Sequence, residues 1–193
     1  MTTPGLTPAQ TVGPFFAPAL LRADMRRNVV AGPEIAGERI RIEGRVLDGE
    51  GAPVPDALVE IWQANSHGRY HHPADTRPLP LDPRFTGFGR SGADEAGGYW
   101  FETIKPGRVP FDQERTQAPH IVVTVFSRGL LNHLVTRLYF EDEPANAEDP
   151  VLARVPAERR GTLLAKRSEE HGAVVYRLDI VLQGSGETAF FNV

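Results

Sequence analysis

The chain contains the segment Arg39-Ile40-Arg41-Ile42-Glu43-Gly44-Arg45-Val46, in which charged residues alternate with apolar or small ones. Side chains at every second position share one face of a strand, so this period predicts a half-buried β-strand. The next residues, Asp48-Gly49-Glu50-Gly51, favour a turn, and Pro53 and Pro55 interrupt the chain after it. A second apolar run over residues 57–63 then predicts a second strand.

The rest of the chain continues this strand-rich pattern. Further strands are predicted over residues 99–103, 120–126, 134–140 and 174–182. One helix is predicted near residues 156–170, where an early proline precedes two leucines and several charged residues. Many strands with Gly and Pro turns indicate a mainly β fold, a β-sandwich of the prealbumin or immunoglobulin type with long loops.

Two segments lie outside the sandwich pattern. Residues 1–38 have little periodicity, apart from a short helical pattern over residues 17–27. They include Phe15 and Phe16, and aromatic side chains in an irregular arm need a surface to cover them. We therefore expect an N-terminal arm, residues 1–38, that packs on a partner chain, and a sandwich domain over residues 39–193. Residues 64–98, with four prolines, form a connection long enough to indicate function.

Composition excludes several classes of function. The net charge of −4 and the pI of about 5.9 argue against a nucleic-acid partner, which requires a concentrated basic face. The absence of cysteine excludes disulfides, thiolate metal sites and a cysteine nucleophile, and it fits a reducing compartment. The first residues lack the pattern of a signal peptide, and no apolar run reaches membrane length. We expect a cytoplasmic protein without membrane partners.

A series of short segments resembles the intradiol ring-cleaving dioxygenases, in the same order and across roughly residues 10–193. The segments are Gly44–Asp48, Val54–Asn65, Gly68–Tyr70, Leu81–Pro83, Phe88–Arg90, Thr103–Gly107, Pro119–Ile121, Thr136–Phe140 and Tyr176–Leu182. Other sandwich families share the first turn, but the ordered set is specific. The resemblance implies an oxidoreductase that uses a non-haem ferric iron held by two tyrosinates and two histidines.

Most of the iron ligands that the resemblance implies are missing from this chain. Arg77 and Val109 stand where the two tyrosines belong, and Val122 stands at the second position of the His-x-His pair. His120 is the one retained ligand position, and a single imidazole cannot hold ferric iron. We therefore expect no metal in this chain and no catalytic residue.

The protocatechuate branch of this family pairs such a degenerate α chain with a homologous, iron-bearing β chain. The resemblance thus implies an α–β hetero-oligomer, with ferric iron held by the partner and with protocatechuate and O₂ at a shared site. Carried over residue by residue, Thr11, Gly13 and Pro14 match an arm that approaches the substrate, and Arg128 matches a basic position near it. The alternatives are a plain turn for Gly13-Pro14, a surface salt bridge for Arg128 and a buried, hydrogen-bonded role for His120.

Two other functions are compatible with the sequence. The first is a self-sufficient intradiol dioxygenase with unusual ligands drawn from His71, His72, His120 and a carboxylate. The second is a sandwich-type binding module without a redox role. A cluster of His67, His71, His72 and Asp75 suggests a metal site, but its spacing matches no strand or helix face and is typical of a solvated loop.

Overall fold

The structure, a computed structural model, describes residues 10–13 and 15–192. It contains one short helix, α1 (Phe16–Leu20), and three 3₁₀ segments, Pro144–Glu148, Leu152–Arg154 and Ala157–Leu163. The strands are β1 (Arg39–Leu47), β2 (Leu58–Trp62), β3 (Phe88–Gly92), β4 (Gly98–Ile104), β5 (Val109–Pro110), β6 (Thr116–Gln117), β7 (His120–Phe126), β8 (Leu134–Phe140), β9 (Leu164–Glu170), β10 (Ala173–Arg177) and β11 (Ile180–Val181). Within the described residues, no helix has the length and hydropathy needed to cross a membrane.

Nine of the strands form one sheet that folds over into two layers. Its order is β11-β1-β10-β9-β8-β7-β2-β3, and β4 pairs with β1. Strand β9 joins the two layers. Its first two residues pair parallel to β8, and the rest of the strand pairs antiparallel to β10. Ile42 and Phe101 from one layer meet Ile61 and Val123 from the other in the main core. The predicted mainly β sandwich is confirmed.

The segment 27–30 connects the remaining edges of the two layers. Arg27 and Arg90 of β3 exchange backbone hydrogen bonds of 2.8 and 3.2 Å. Glu102 of β4 accepts from the Val30 N–H and donates to the Asn28 carbonyl, both at 2.8 Å. Because strand edges otherwise expose unpaired backbone groups, this segment protects both edges and nearly closes the sheet.

The predicted helix near residues 156–170 is wrong. The last 3₁₀ segment ends at Leu163, and the remaining residues form β9. His171 and Gly172 both have positive φ, 51° and 81°, which is the two-residue turn that joins β9 and β10 as a hairpin. An ion pair between Glu170 and Arg177 crosses this hairpin. The charged residues that suggested an exposed helix face therefore lie on a strand, because pairing with β10 overrides the local pattern.

The predicted strand over residues 174–182 is interrupted after Arg177. Leu178 still donates its N–H to the Glu43 carbonyl at 3.0 Å, but Asp179 turns its carboxylate to the backbone. Asp179 Oδ1 accepts from the Arg45 N–H at 2.9 Å in place of a strand partner. Buried and exposed side chains still alternate through this break, from Tyr176 to Ile180.

Three shorter elements also differ from the predictions. The short helical pattern of residues 17–27 is realised as α1, Phe16–Leu20. Strand β3 lies inside the long connection of residues 64–98, and the β5–β6 ribbon forms a separate two-stranded sheet.

The strands predicted over 120–126 and 134–140 have the observed bounds.

Gly44 permits the close approach of β1 to the interrupted strand. A Cβ atom at position 44 would lie 1.8 Å from the Leu178 carbonyl oxygen, which also accepts a 2.7 Å hydrogen bond from the Tyr99 hydroxyl. We expect Gly44→Ala to lower the free energy of unfolding by about 2–3 kcal/mol, because a clash with backbone has no rotamer solution. Gly161→Ala is the control, since nothing lies within 4 Å of its Cβ position. Urea denaturation of both variants in the same assembly state measures the difference, and equal stability would disprove the constraint.

Candidate functional site

Arg77 and Val109, two of the positions where the resemblance implies iron ligands, line an open cleft of about 740 Å³, which we call the Arg77 cleft. Arg77 donates from Nε and Nη2 to the Asp75 carboxylate at 2.8 and 2.6 Å, and from Nη2 to the Gly68 carbonyl at 2.7 Å. The hydrogen bond from Arg77 lowers the pKa of Asp75 to about 2. A guanidinium has no lone pair to offer a cation, and Val109, which also lines the cleft, has no donor atom.

His120 is buried at the start of β7, with 4% of its surface exposed. Its Nδ1 is 2.8 Å from the Ala118 carbonyl, and a carbonyl only accepts, so Nδ1 carries the proton. Burial, together with the smaller effect of the nearby positive charge of Arg137, lowers the pKa of His120 to about 4. His120 is therefore a neutral, hydrogen-bonded core residue.

Val122, at the second histidine position, lies in the wall of a neighbouring cavity. The loop histidines are engaged locally: His71 Nδ1 is 3.2 Å from the Phe85 carbonyl, and His72 Nδ1 accepts from the Ala74 N–H at 3.2 Å. Within residues 10–13 and 15–192, no three His, Asp or Glu side chains are grouped to hold a metal ion. One histidine, one guanidinium and two valines do not fit the iron of this family.

Asp149, which the sequence analysis did not single out, organises this end of the sandwich. Its side chain is fully buried. The Oδ1 atom accepts from the backbone N–H groups of Val151 and Leu152 at 2.9 and 2.7 Å, and from the Tyr139 hydroxyl at 3.1 Å. Its Oδ2 accepts from the Ala118 N–H at 2.7 Å. Tyr139 in turn accepts from Arg137 Nη1 at 3.2 Å. An Asp before a proline indicates a local turn, but its partners 10 and 31 residues away leave no sequence pattern.

The predicted substrate-binding residues gather at the opposite end of β7. The Thr11 hydroxyl accepts from the Gly129 N–H at 2.9 Å, which places it beside Arg128. Gly13 follows in the same arm, where its carbonyl accepts from the Phe16 N–H at 3.1 Å. Pro14 lies outside the described residues. The two ends of β7 are six residues apart, which corresponds to about 20 Å of strand. Thr11 and Arg128 therefore lie far from His120, the retained ligand position at the other end.

Arg128 is exposed and forms an ion pair with a residue that the sequence did not indicate. Arg128 Nε is 2.8 Å from Asp56 Oδ2, and 74% of the arginine side chain is exposed. Asp56 has a φ of 60°, in the left-handed region that Asp tolerates better than most residues. The sequence showed that Pro55 interrupts the chain here, but the contact of Asp56 with the β7–β8 turn depends on the fold.

Comparison with known proteins places the chain in a family. A family model described as "Dioxygenase" matches residues 12–184. The protocatechuate 3,4-dioxygenase alpha chain of Burkholderia cepacia is 47% identical over 100% of both chains. The beta chain from the same organism is 41% identical and covers 93% of this chain and 77% of its own length. This chain therefore belongs to the intradiol ring-cleavage dioxygenases, a family that depends on non-haem iron.

Solved structures agree with this fold. The intradiol ring-cleavage dioxygenase from Tetranychus urticae superposes with a TM-score of 0.64 at 20% identity, covering 94% of this chain and 97% of that one. At this identity the likeness shows the architecture alone. It agrees with the sandwich described above.

The buried His120 leads to a testable pH dependence. Its pKa is about 4 in the folded chain and 6.5 in the unfolded chain, so the unfolded state binds the extra proton between these values. Stability from this group is fully present above pH 6.5 and falls as the pH drops to 4, by about 3 kcal/mol in total. His120→Asn keeps an N–H donor for Ala118 without titrating. Urea denaturation should show the stability gap between the wild type and the variant narrowing from pH 7 to pH 4, whereas a constant gap would contradict the neutral histidine.

Proposed function

We propose that this chain is the non-catalytic, metal-free α subunit of a protocatechuate 3,4-dioxygenase. The observation that carries the proposal is the loss of ligands at Arg77, Val109 and Val122 in a chain that matches such an α chain over its full length. The identity to the β chain from the same organism supports a homologous partner of the same fold. In this proposal the partner β chain holds the ferric iron, and the two chains form a cytoplasmic α–β hetero-oligomer.

The assembled enzyme would cleave protocatechuate with O₂ between its two hydroxyl-bearing carbons and yield 3-carboxy-cis,cis-muconate. The part of the α chain is to complete the substrate pocket by shape and charge. Thr11, Gly13 and Pro14 would close one wall, and Arg128 would supply positive charge toward the substrate carboxylate. The hydrogen bond of Thr11 to Gly129 supports this assignment, because it holds the arm next to Arg128.

The proposal gives the N-terminal arm, residues 1–38, a partner to pack on with its first part, because the segment 27–30 already pairs with the chain's own sandwich. Phe15 is 80% exposed and Leu131 is 65% exposed, and both belong to segments at the Arg128 end of β7. Phe16 packs on the Phe126 ring at 6.3 Å and fixes the start of α1 to the sandwich. Exposed large apolar side chains at this end favour an interface, and an obligate pair commonly buries about 2,000 Å² or more.

Reconstitution tests the subunit role directly. The chain alone should show no protocatechuate-dependent oxygen uptake and should hold less than about a tenth of an equivalent of iron, since its donor set does not suit the ion. Co-expression with the β chain of the same source should give a complex that consumes oxygen. Stoichiometric iron with a visible absorption band in the lone chain would overturn the proposal and favour a self-sufficient dioxygenase.

The role of Arg128 is tested by comparing two substrates in the assembled enzyme. A charge-assisted contact with the carboxylate, if well formed, corresponds to about 10- to 150-fold in kcat/KM, and we expect Arg128→Ala to lose activity on protocatechuate within this range. The loss should fall on KM more than on kcat, and residual activity on catechol, which lacks the carboxylate, should hardly change. Arg115→Ala, an exposed arginine paired with Asp112, is the matched control. Equal losses on both substrates would show that Arg128 stabilises the interface instead.

A further inference from the structure

A second cavity of about 550 Å³ lies beside the Arg77 cleft, and we call it the Val122 cavity. Val122 of β7, Val135 of β8 and Val151 contribute an apolar surface, and Phe111 and Phe191 contribute aromatic rings. The volume falls in the range of about 300–1,000 Å³ typical of small-molecule sites. An apolar cavity of this kind favours a ligand that buries most of its surface away from water.

Two guanidinium groups line the Val122 cavity without an acidic partner. Within the described part of the chain, no carboxylate lies within 4.0 Å of Arg137 or Arg154, whereas Arg159 at the same cavity is paired with Glu187 at 2.9 Å. Arg137 is fixed from behind, since its Nη1 donates to the Gln117 side chain at 2.7 Å and to the Tyr139 hydroxyl. Among the described residues, the cavity therefore presents two guanidinium groups, those of Arg137 and Arg154, that no carboxylate neutralises.

Asp149, the acidic residue linked to Arg137 through Tyr139, does not neutralise the Arg137 guanidinium. Asp149 lies behind Tyr139 and is fully buried. Both of its oxygens already accept from backbone N–H groups and from the Tyr139 hydroxyl. An anion that entered the cavity would thus meet the Arg137 guanidinium and not the Asp149 carboxylate.

The two arginines stand over aromatic rings that face the same cavity. The Arg137 guanidinium carbon is 5.8 Å from the centre of the Phe191 ring, and that of Arg154 is 5.2 Å from the Phe111 ring. A planar aromatic ring can pack against such faces while one carboxylate binds a guanidinium. A phosphate would suit the charge but not the valine surface, because burying a strongly hydrated ion without full pairing is costly.

We infer that the Val122 cavity binds a small aromatic carboxylate, at a site separate from any iron. The ring lies among the valines and phenylalanines, and the carboxylate faces Arg137 and Arg154. The Arg77 cleft does not offer the same site, because Asp75 neutralises its guanidinium in a two-point ion pair. Arg128 belongs to the opposite end of β7 and takes no part.

Isothermal titration of the assembled enzyme with benzoate tests this site. Benzamide, the neutral analogue of the same shape, should bind at least several-fold more weakly, because the charge-assisted contact is lost. Arg154→Gln should weaken benzoate binding about 5- to 10-fold, a value reduced for the exposure of this arginine. Val122→Phe should abolish binding by filling the cavity. Arg115→Gln is the matched control, because Arg115 also lies over the Phe111 ring but is paired with Asp112.

Binding at the partner's active centre is distinguished by steady-state kinetics. Benzoate bound there competes with protocatechuate, and Arg154→Gln leaves that competition unchanged. If no active complex forms, the proposed subunit role fails, and the same titration of the full chain still tests the cavity. Equal affinity for benzoate and benzamide, unchanged affinity in Arg154→Gln, or binding to the free chain that disappears in the complex would each overturn the inference.

Discussion

The buried carboxylate of Asp149 is the interaction on which this end of the sandwich depends. It joins Ala118, two residues before β7, to the 3₁₀ segment Leu152–Arg154 through backbone N–H groups, and it joins β8 through Tyr139. A buried carboxylate without such donors would be strongly destabilising, so the folded state requires all of these elements to be in place around Asp149. Through Tyr139 the same group fixes Arg137, and through Ala118 it fixes the start of the strand that carries His120.

The replacement of the iron ligands changes what this region can bind. A metal centre needs several donors that converge in a partly dry site, and here valines at 109 and 122 remove two of them. The arginine at 77 would be an uncompensated charge beside an iron, but Asp75 neutralises it within the same loop. Valine surface and fixed guanidinium groups are instead suited to an organic anion. The two core clusters of the sandwich do not include positions 77, 109 or 122, so their packing does not depend on the lost ligands.

The sequence predicted the parts of the fold that local periodicity determines. Strands β7 and β8 are short runs rich in apolar, β-branched and aromatic residues, and they have the predicted bounds. The predicted helix near 156–170 was wrong because pairing with β10 holds residues 164–170 as a strand, and the local pattern does not show this pairing. Strand β3 was missed because Phe88–Gly92 is rich in glycine, and Gly89 is required where a Cβ would come within 2.8 Å of Val30 and Ile61. Similarly, Asp56 and Asp149 take partners that the fold alone brings near.

The geometry of β7 relates the two halves of the proposed function. His120 marks the iron end of this strand, and Arg128 follows its other end, about 20 Å away. A benzoate molecule is much shorter than this distance. If Arg128 binds the substrate carboxylate, the reacting ring lies beyond the reach of this chain's own iron positions. The metal that acts on such a ring must then be supplied by another chain packed against the Arg128 end. A chain built in this way can lose its own ligands without loss of the reaction, provided that it keeps the arm and the arginine.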